Sequence, residues 1–352
     1  MRGRVVLAIV IALLLDMGLA MPAGADAPGP TDYRSEVIKV DHGGTPNSTE
    51  GNSSEGNSSE GFHIDIVGGD SFVRLQAQPG VEILVVGYRA EPYLRFAPNG
   101  AVYENQNSPT KYLNEERYGT DTGPENLGDE PDWKEVAANG EYLWHDHRAH
   151  WMNPRKPPGT QPGDTVVEAV VPLQVEGNEV DVHVRSTLLP PPSPLAVLAG
   201  ASLVLLAGVG VIARTRSTIE RNRWLWLVAT IVAAGATVVG SWAFWSMPQA
   251  TGPSLLLWVP AVAAFGALLI GYRTLESRVW FTPVAVALVA AAELAFWVWV
   301  RVGVLTRAYL PTDAPFWLDR SVTAASLVAV VLLVVLAVTT GRAQISRLGP
   351  GQ

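Results

Sequence analysis

The rhythm of apolar and polar residues changes twice along the chain. Over residues 26–61 there is no apolar period: Gly, Pro, Ser, Thr and acidic residues dominate, and the pentads Pro46–Glu50, Gly51–Glu55 and Gly56–Glu60 are near-repeats. Such a composition cannot bury a core, so a disordered linker is expected there, with Asn47, Asn52 and Asn57 in glycosylation sequons and His42 solvated. From Phe62 the pattern becomes short β-prone runs, among them Ile64 and Ile66, Phe72 to Leu75, Val81–Val86, Tyr93–Phe96, Ala101–Tyr103, Glu141–Trp144, Thr165–Leu173 and Glu179–Ser186. Gly68-Gly69, Pro79-Gly80, Pro98-Asn99-Gly100, Asn139-Gly140 and Glu176-Gly177-Asn178 separate them as turns. Strands and turns at this spacing predict an all-β antiparallel sandwich, Ig-like or cupredoxin-like, over residues 62–189. In the last run Val180, Val182 and Val184 should face the core, with Asp181, His183 and Arg185 in water; the same parity turns His63 and Asp65 outward. Gly119–Asp132, acidic and rich in Gly and Pro, reads as a long surface loop.

The second change comes at Pro190–Pro194, a stiff connector. Beyond it lie five apolar segments, at about 195–213, 224–245, 254–272, 280–300 and 321–340, each of the length that crosses a bilayer as a helix. A five-helix transmembrane domain over 195–341 and a cytoplasmic tail over 342–352 follow. The expected inner loops hold Arg214, Arg216, Arg221, Arg223, Arg273, Arg278, Arg342 and Arg347 against Glu220 and Glu276, which places the β domain outside by the positive-inside rule. Trp224, Trp226, Trp242, Trp245, Trp280 and Trp299 stand near segment ends, as an aromatic belt does. Residues 1–25 agree independently: Arg2 and Arg4, the apolar run Val5–Leu15 and Ala23-Gly24-Ala25 have the three parts of a secretory signal. The chain therefore reads as a multi-pass cell-membrane protein with the lipid bilayer as its first partner.

Charge sharpens this division. Residues 26–190 carry 27 Asp and Glu against 12 Lys and Arg, so the β domain repels nucleic acid and favours cations. With no cysteine in the chain, disulfides, thiolate metal sites and cysteine nucleophiles are excluded. Inside the helices Glu293 is the outstanding polar group; it should face another helix, and it opens a weaker alternative of a transporter component.

The densest chemistry lies in Trp144-His145-Asp146-His147-Arg148-Ala149-His150-Trp151-Met152. If the strand continues through it, His145 and His147 share a face as an i, i+2 imidazole pair, opposite Trp144, Asp146 and Arg148. His150 or Met152 would join them if the chain bends at Arg148-Ala149, and Asp146 would ligate or orient a ring. Imidazoles without thiolate suit copper, with zinc the alternative, and no organic cofactor is expected. Two other readings stay open. One is a structural network of these histidines with Asp146 and Arg148; the other is a general base, though no serine elbow accompanies it, and no enzyme is expected. A second patch, Glu91–Phe96 through Tyr112-Leu113-Asn114 to Arg117-Tyr118, mixes aromatic and polar groups and suits either a binding face or a sandwich surface.

Gly87-Tyr88, Glu91-Pro92-Tyr93-Leu94-Arg95, Ser108-Pro109, Tyr112-Leu113-Asn114, Arg117-Tyr118, Trp144–Arg148 and His150-Trp151-Met152 together resemble a family of secreted and membrane-anchored actinobacterial proteins. The resemblance spans about 62–190 and implies an envelope location but no particular activity. In layout alone, the chain is also similar to periplasmic copper-binding proteins of the CopC type fused to CopD-like membrane domains. That likeness implies copper handling, but here Asp26 rather than a histidine follows Ala25, and the apolar segments hold no histidine. The expectation is a membrane-anchored surface protein binding a metal ion through its histidines; the alternative is a structural or protein-interaction module contacting an envelope or membrane protein.

Overall fold

In a computed structural model, the residues described are 27–43, 53–55, 58–115, 117–119, 123–273, 275 and 281–348. The expected signal sequence lies outside them. The β region contains β1 (Tyr33–His42), β2 (Ser53–Glu55), β3 (Ser58–Ser59), β4 (Phe62–Val67), β5 (Phe72–Ala77), β6 (Ile83–Val86), β7 (Pro92–Phe96) and β8 (Val102–Asn105). A one-turn helix α1 (Pro109–Leu113) follows, then β9 (Trp133–Ala137), β10 (Glu141–Trp144), β11 (Thr165–Val175) and β12 (Asn178–Leu188). They form an eight-stranded sheet, β2-β1-β12-β11-β6-β7-β8-β9, and a four-stranded sheet, β10-β5-β4-β3, with every described pairing antiparallel. Both sheets feed one core: Phe62, Ile64, Val73 and Leu75 from the smaller, Val85, Leu94, Val171, Val182 and Val184 from the larger. The period-two valines of β12 face inward as their alternation predicts, while His183 sits on the outer face, 3.0 Å from Asp41. Ile64 is buried, and its neighbour Asp65 turns outward to meet Arg74.

The expected linker needs correction. Residues 33–42 form a ten-residue strand inside the larger sheet, paired with β12 from Tyr33↔Leu188 to His42↔Val180 and with β2 on its other side. Only Ser35 and Val40 of this strand are buried, so its sequence lacks the alternation that marks a strand with one dry face. Hydrogen bonding to β12 holds it in place. His42, expected to be solvated, bonds Ser59 at 2.5 Å between Nε2 and Oγ.

Beyond the Pro190–Pro194 connector come α2 (Leu195–Arg214), α3 (Thr218–Ser246), α4 (Val259–Tyr272), α5 (Phe281–Val300) and α6 (Phe316–Leu348). Four of these, all but α4, are long and apolar enough to cross a membrane. The fifth expected span is not of that length: over 254–272 the chain makes a short 3-10 turn at Leu255–Leu257 and then a helix of 14 residues. At 1.5 Å per residue that helix rises about 21 Å, against roughly 30 Å of hydrocarbon. Pro253 and Pro260 prevent an earlier start, and Trp297 Nε1 donates to the Leu257 carbonyl at 2.7 Å, satisfying backbone that the helix leaves open. The final helix runs through the expected tail boundary to Leu348. Trp226 also departs from the expected belt: it is wholly buried and donates to the Leu268 carbonyl at 2.7 Å, whereas Trp224, Trp242, Trp245 and Trp299 are exposed. Trp280 lies outside the described residues.

The β region rests on one end of the bundle. Thr31 and Tyr309 exchange two backbone hydrogen bonds, of 3.1 and 2.8 Å, making a bridge between the strand leader and the α5–α6 loop. Asp32 receives the Arg307 guanidinium at 2.6 Å and the Ala308 amide at 3.0 Å. Gly69, at φ +86°, lies under the Tyr309 ring, where a Cβ would stand 2.6 Å from Cδ1. This is a close approach that only glycine permits.

Candidate functional site

The histidine stretch is the crossover from β10 in the smaller sheet to β11 in the larger. The strand stops at Trp144, so the expected alternation does not extend through Met152. His145 stacks on Phe72 with ring centroids 4.1 Å apart, while His147 stacks on Tyr88 at 6.0 Å. The i, i+2 pair therefore splits onto different partners. The bend at Arg148-Ala149 does occur, closed by an Ala149 N–H bond to the Asp146 carbonyl at 2.9 Å and anchored to β1 by Ser35 Oγ donating to the Ala149 carbonyl at 2.5 Å. It brings His150 to His147, with centroids 5.6 Å apart and planes at 83°.

Asp146 is fully buried, and both oxygens are occupied. Oδ1 accepts from the Arg148 amide at 3.0 Å and Nε at 2.8 Å; Oδ2 accepts from Arg148 at 2.7 Å and from Trp144 Nε1 at 3.0 Å. Burial works to raise this carboxyl, but the Arg148 charge and these hydrogen bonds carry it below its ordinary value. An ionised, fully bonded carboxylate has no lone pair aimed at a metal, so Asp146 organises the crossover. Arg148 also donates to the Val86 carbonyl at 3.1 Å and lies over the Tyr88 ring at 4.8 Å. Met152 is 36% exposed. Among the described residues no three His, Asp or Glu side chains gather as a metal site of that size needs.

His150 is 1% exposed. Burial, then the Arg117 guanidinium, push its pKa down to about 3, so it is neutral at physiological pH. Its Nδ1 lies 3.2 Å from the Trp151 carbonyl, which can only accept; this assigns the proton to Nδ1 and leaves a lone pair on Nε2. That Nε2 is buried and has no hydrogen-bond partner.

The second sequence patch packs around this crossover. Tyr88 receives the His147 amide at 2.8 Å on its hydroxyl and donates that hydroxyl to Asn114 Oδ1 at 2.5 Å. Glu91 accepts from Ser108 Oγ at 2.8 Å and Thr110 Oγ1 at 2.7 Å, which fixes the start of α1. Gly87 is needed because a Cβ there would collide with Glu91 and Thr110. Arg117 pairs with the fully buried Asp70, and Tyr118 meets the His150 ring edge-on with centroids 6.5 Å apart. Asp70 was not singled out from sequence; Gly68-Gly69 ahead of it read only as a turn.

In the bundle, Glu293 is 2% exposed and faces the interior, as its cost in lipid requires. Fold and crossover together define a class: a sandwich-like β domain seated on apolar helices that suit a lipid bilayer, with an imidazole-rich crossover packed against an aromatic and polar wall. No family model, curated protein or solved structure matches the chain.

Proposed function

We propose that this is a non-enzymatic, membrane-anchored envelope protein that binds a copper-class ion through His147 and His150, with the β domain on the extracytoplasmic side. The single observation that carries the metal assignment is the state of His150. A neutral imidazole that spends its N–H on a backbone carbonyl and keeps a buried, unpartnered Nε2 has the arrangement of a metal-ligating histidine. Two metal–nitrogen bonds of about 2 Å each, plus the ring radii, allow centroid separations up to roughly 6 Å for two imidazoles on one ion. The 5.6 Å between His147 and His150 falls within that limit. Two-coordinate copper(I) needs no third protein ligand, so the pair suffices. His145 and Asp146 then position the crossover, and the ion has no need of Met152. The extracytoplasmic side is favoured by Arg214, Arg216, Arg221 and Arg223, which stand at the α2–α3 end of the bundle, away from the β domain.

Titration of the full chain in lipid nanodiscs with copper(I), copper(II) and zinc(II) tests this. We expect one equivalent of copper(I) bound, lost in His147→Ala and His150→Ala and kept in Met152→Ala. Binding weaker than about 10 μM, or unchanged in both histidine variants, sinks the assignment.

A second reading rests on its own observation: Asp146 accepts from Trp144 and Arg148, while Arg148 also donates to the Val86 carbonyl and lies over the Tyr88 ring, tying β10, β6 and the crossover together. Such a knot makes a rigid protein-interaction module, and it is the reading that remains if no metal binds.

A further inference from the structure

The loop from Trp151 to Gly163 leads out of the histidine crossover into β11, and its charge is opposite to that of the domain that carries it. Residues 26–190 hold 27 acids against 12 bases, yet residues 150–163 hold Arg155 and Lys156 and no acid. Both cations are exposed, and neither forms an ion pair with a described residue. Met152 beside them is exposed as well, and Trp151 is partly buried, its indole donating to the Arg155 carbonyl at 2.8 Å. Pro154, Pro157, Pro158 and Pro162 carry no N–H, so the loop brings few amide donors that would resist leaving water.

Hydrogen bonds fix both ends of this loop at the end of the β domain that meets the helices. At its start the Ala149 carbonyl accepts from Ser35 Oγ at 2.5 Å, the Ser35 amide donates to the Gly69 carbonyl at 2.8 Å, and Gly69 lies under Tyr309. At its end the Gly163 amide donates to the Leu188 carbonyl at 2.8 Å and the Leu188 amide to the Asp164 carbonyl at 3.0 Å. From Leu188 the proline connector leads directly to α2 at Leu195. Trp245, Trp299 and Trp317, each at least 64% exposed, stand near the ends of α3 and α5 and the start of α6, where an aromatic belt marks the lipid boundary. Tyr309 belongs to the loop between the last two, so the anchors of the 151–163 loop lie near headgroup level. The Glu176–Asn178 turn lies at the other end of the eleven-residue strands β11 and β12, about 30 Å away.

We infer that the 151–163 loop is a lipid-contact element, in which Arg155 and Lys156 engage the anionic phospholipid headgroups of the leaflet beneath the β domain and Met152 enters the interface beside them. Attraction of basic side chains to a negative surface adds to the burial of apolar ones. The helices already hold the loop at this surface, so two cations act at high effective concentration. The inference rests on the membrane anchoring proposed above and not on the metal assignment.

The chain has no cysteine, so Pro154→Cys gives a single attachment point for a fluorophore in the loop, and Asn178→Cys gives one at the far end of the domain. Each labelled full-length chain is placed in phosphatidylcholine nanodiscs, with or without phosphatidylglycerol, that contain a lipid bearing a nitroxide quencher on its headgroup. Co-elution of chain and disc reports the anchoring by itself. Phosphatidylglycerol should raise quenching of the label at 154 by about twofold or more, high salt should remove the rise, and the label at 178 should respond to neither. Arg155→Gln with Lys156→Gln should abolish the rise without moving the melting midpoint, and Arg155→Lys should keep it. Equal quenching at 154 in the two lipids, or a rise that survives in the double glutamine variant, overturns the inference even where the chain is anchored.

Discussion

The Arg301 guanidinium and the Asp319 carboxylate meet inside the protein through two contacts of 2.6 Å, with neither side chain more than 3% exposed. The pair ties the end of α5 to the start of α6 and so shapes the loop that meets the β domain. Arg320, next in sequence, donates to the carbonyls of Arg307 and Ala308 at 2.7 and 3.0 Å, holding that loop in the form that presents Tyr309. Removing one member leaves the other charge buried. Asp319→Asn should therefore cost about 3 kcal/mol or more, read as a lowered melting midpoint in nanodiscs, whereas Arg301→Met with Asp319→Leu should recover most of it. Equal melting of the single and double variants would contradict this.

His150 makes stability depend on pH. In the unfolded chain its imidazole takes a proton near its ordinary value of 6.5; in the folded chain it stays neutral down to about 3. Between these values the unfolded state binds the extra proton, so stability falls as pH falls, by up to about 1.4 kcal/mol per unit. The full contribution is present above pH 6.5, and at most about 4 kcal/mol is lost by pH 3.5. Melting curves between pH 7 and 4, with a chelator present, should show this slope, flattened in His150→Gln.

Asp146 is the charge on which the crossover is built. Asp146→Asn leaves Arg148 largely buried without its anion and should cost about 3 kcal/mol, with Arg148→Met alone similarly harmful. The informative measurement is amide exchange at His147 and Arg148, whose N–H groups bond Tyr88 and Asp146. Exchange there should rise in Asp146→Asn while β11 and β12 stay protected.

Gly69→Ala separates docking from folding. The substitution forces a Cβ toward the Tyr309 ring at a left-handed φ, so the bridge between Thr31 and Tyr309 should loosen. Limited proteolysis should then cut the Pro190–Pro194 connector faster. Gly80→Ala, also at positive φ but with nothing within 4 Å, should leave the cutting rate unchanged.

The sandwich and the helices were legible because burial writes itself into period. β12 places Val180, Val182 and Val184 at alternate positions, and α2, α3, α5 and α6 are apolar over most of their lengths. Tyr33–His42 was not legible, because hydrogen bonds to β12 and β2 set its place and its side chains are mostly half-exposed. Trp133–Ala137 was missed for the same reason: this sheet-edge strand has no buried residue. At the histidines, parity joined His145 with His147, whereas the rings that the fold brings together are His147 and His150. Parity fails once a strand ends, and the turn that joins His147 to His150 depends on Asp146, Arg148 and Ser35, one of which is more than 100 residues away.

The bridge at Thr31–Tyr309 and the connector after Leu188 attach the β domain through β1 and β12, which are neighbours in the sheet, with Tyr33 opposite Leu188. The smaller sheet is seated as well, since Gly69 of the β4–β5 turn packs under Tyr309 and β10 comes against residues 249–251. A load on the helices is therefore carried by both sheets, and the domain is held like a table on spread legs, which resists tilting in either direction.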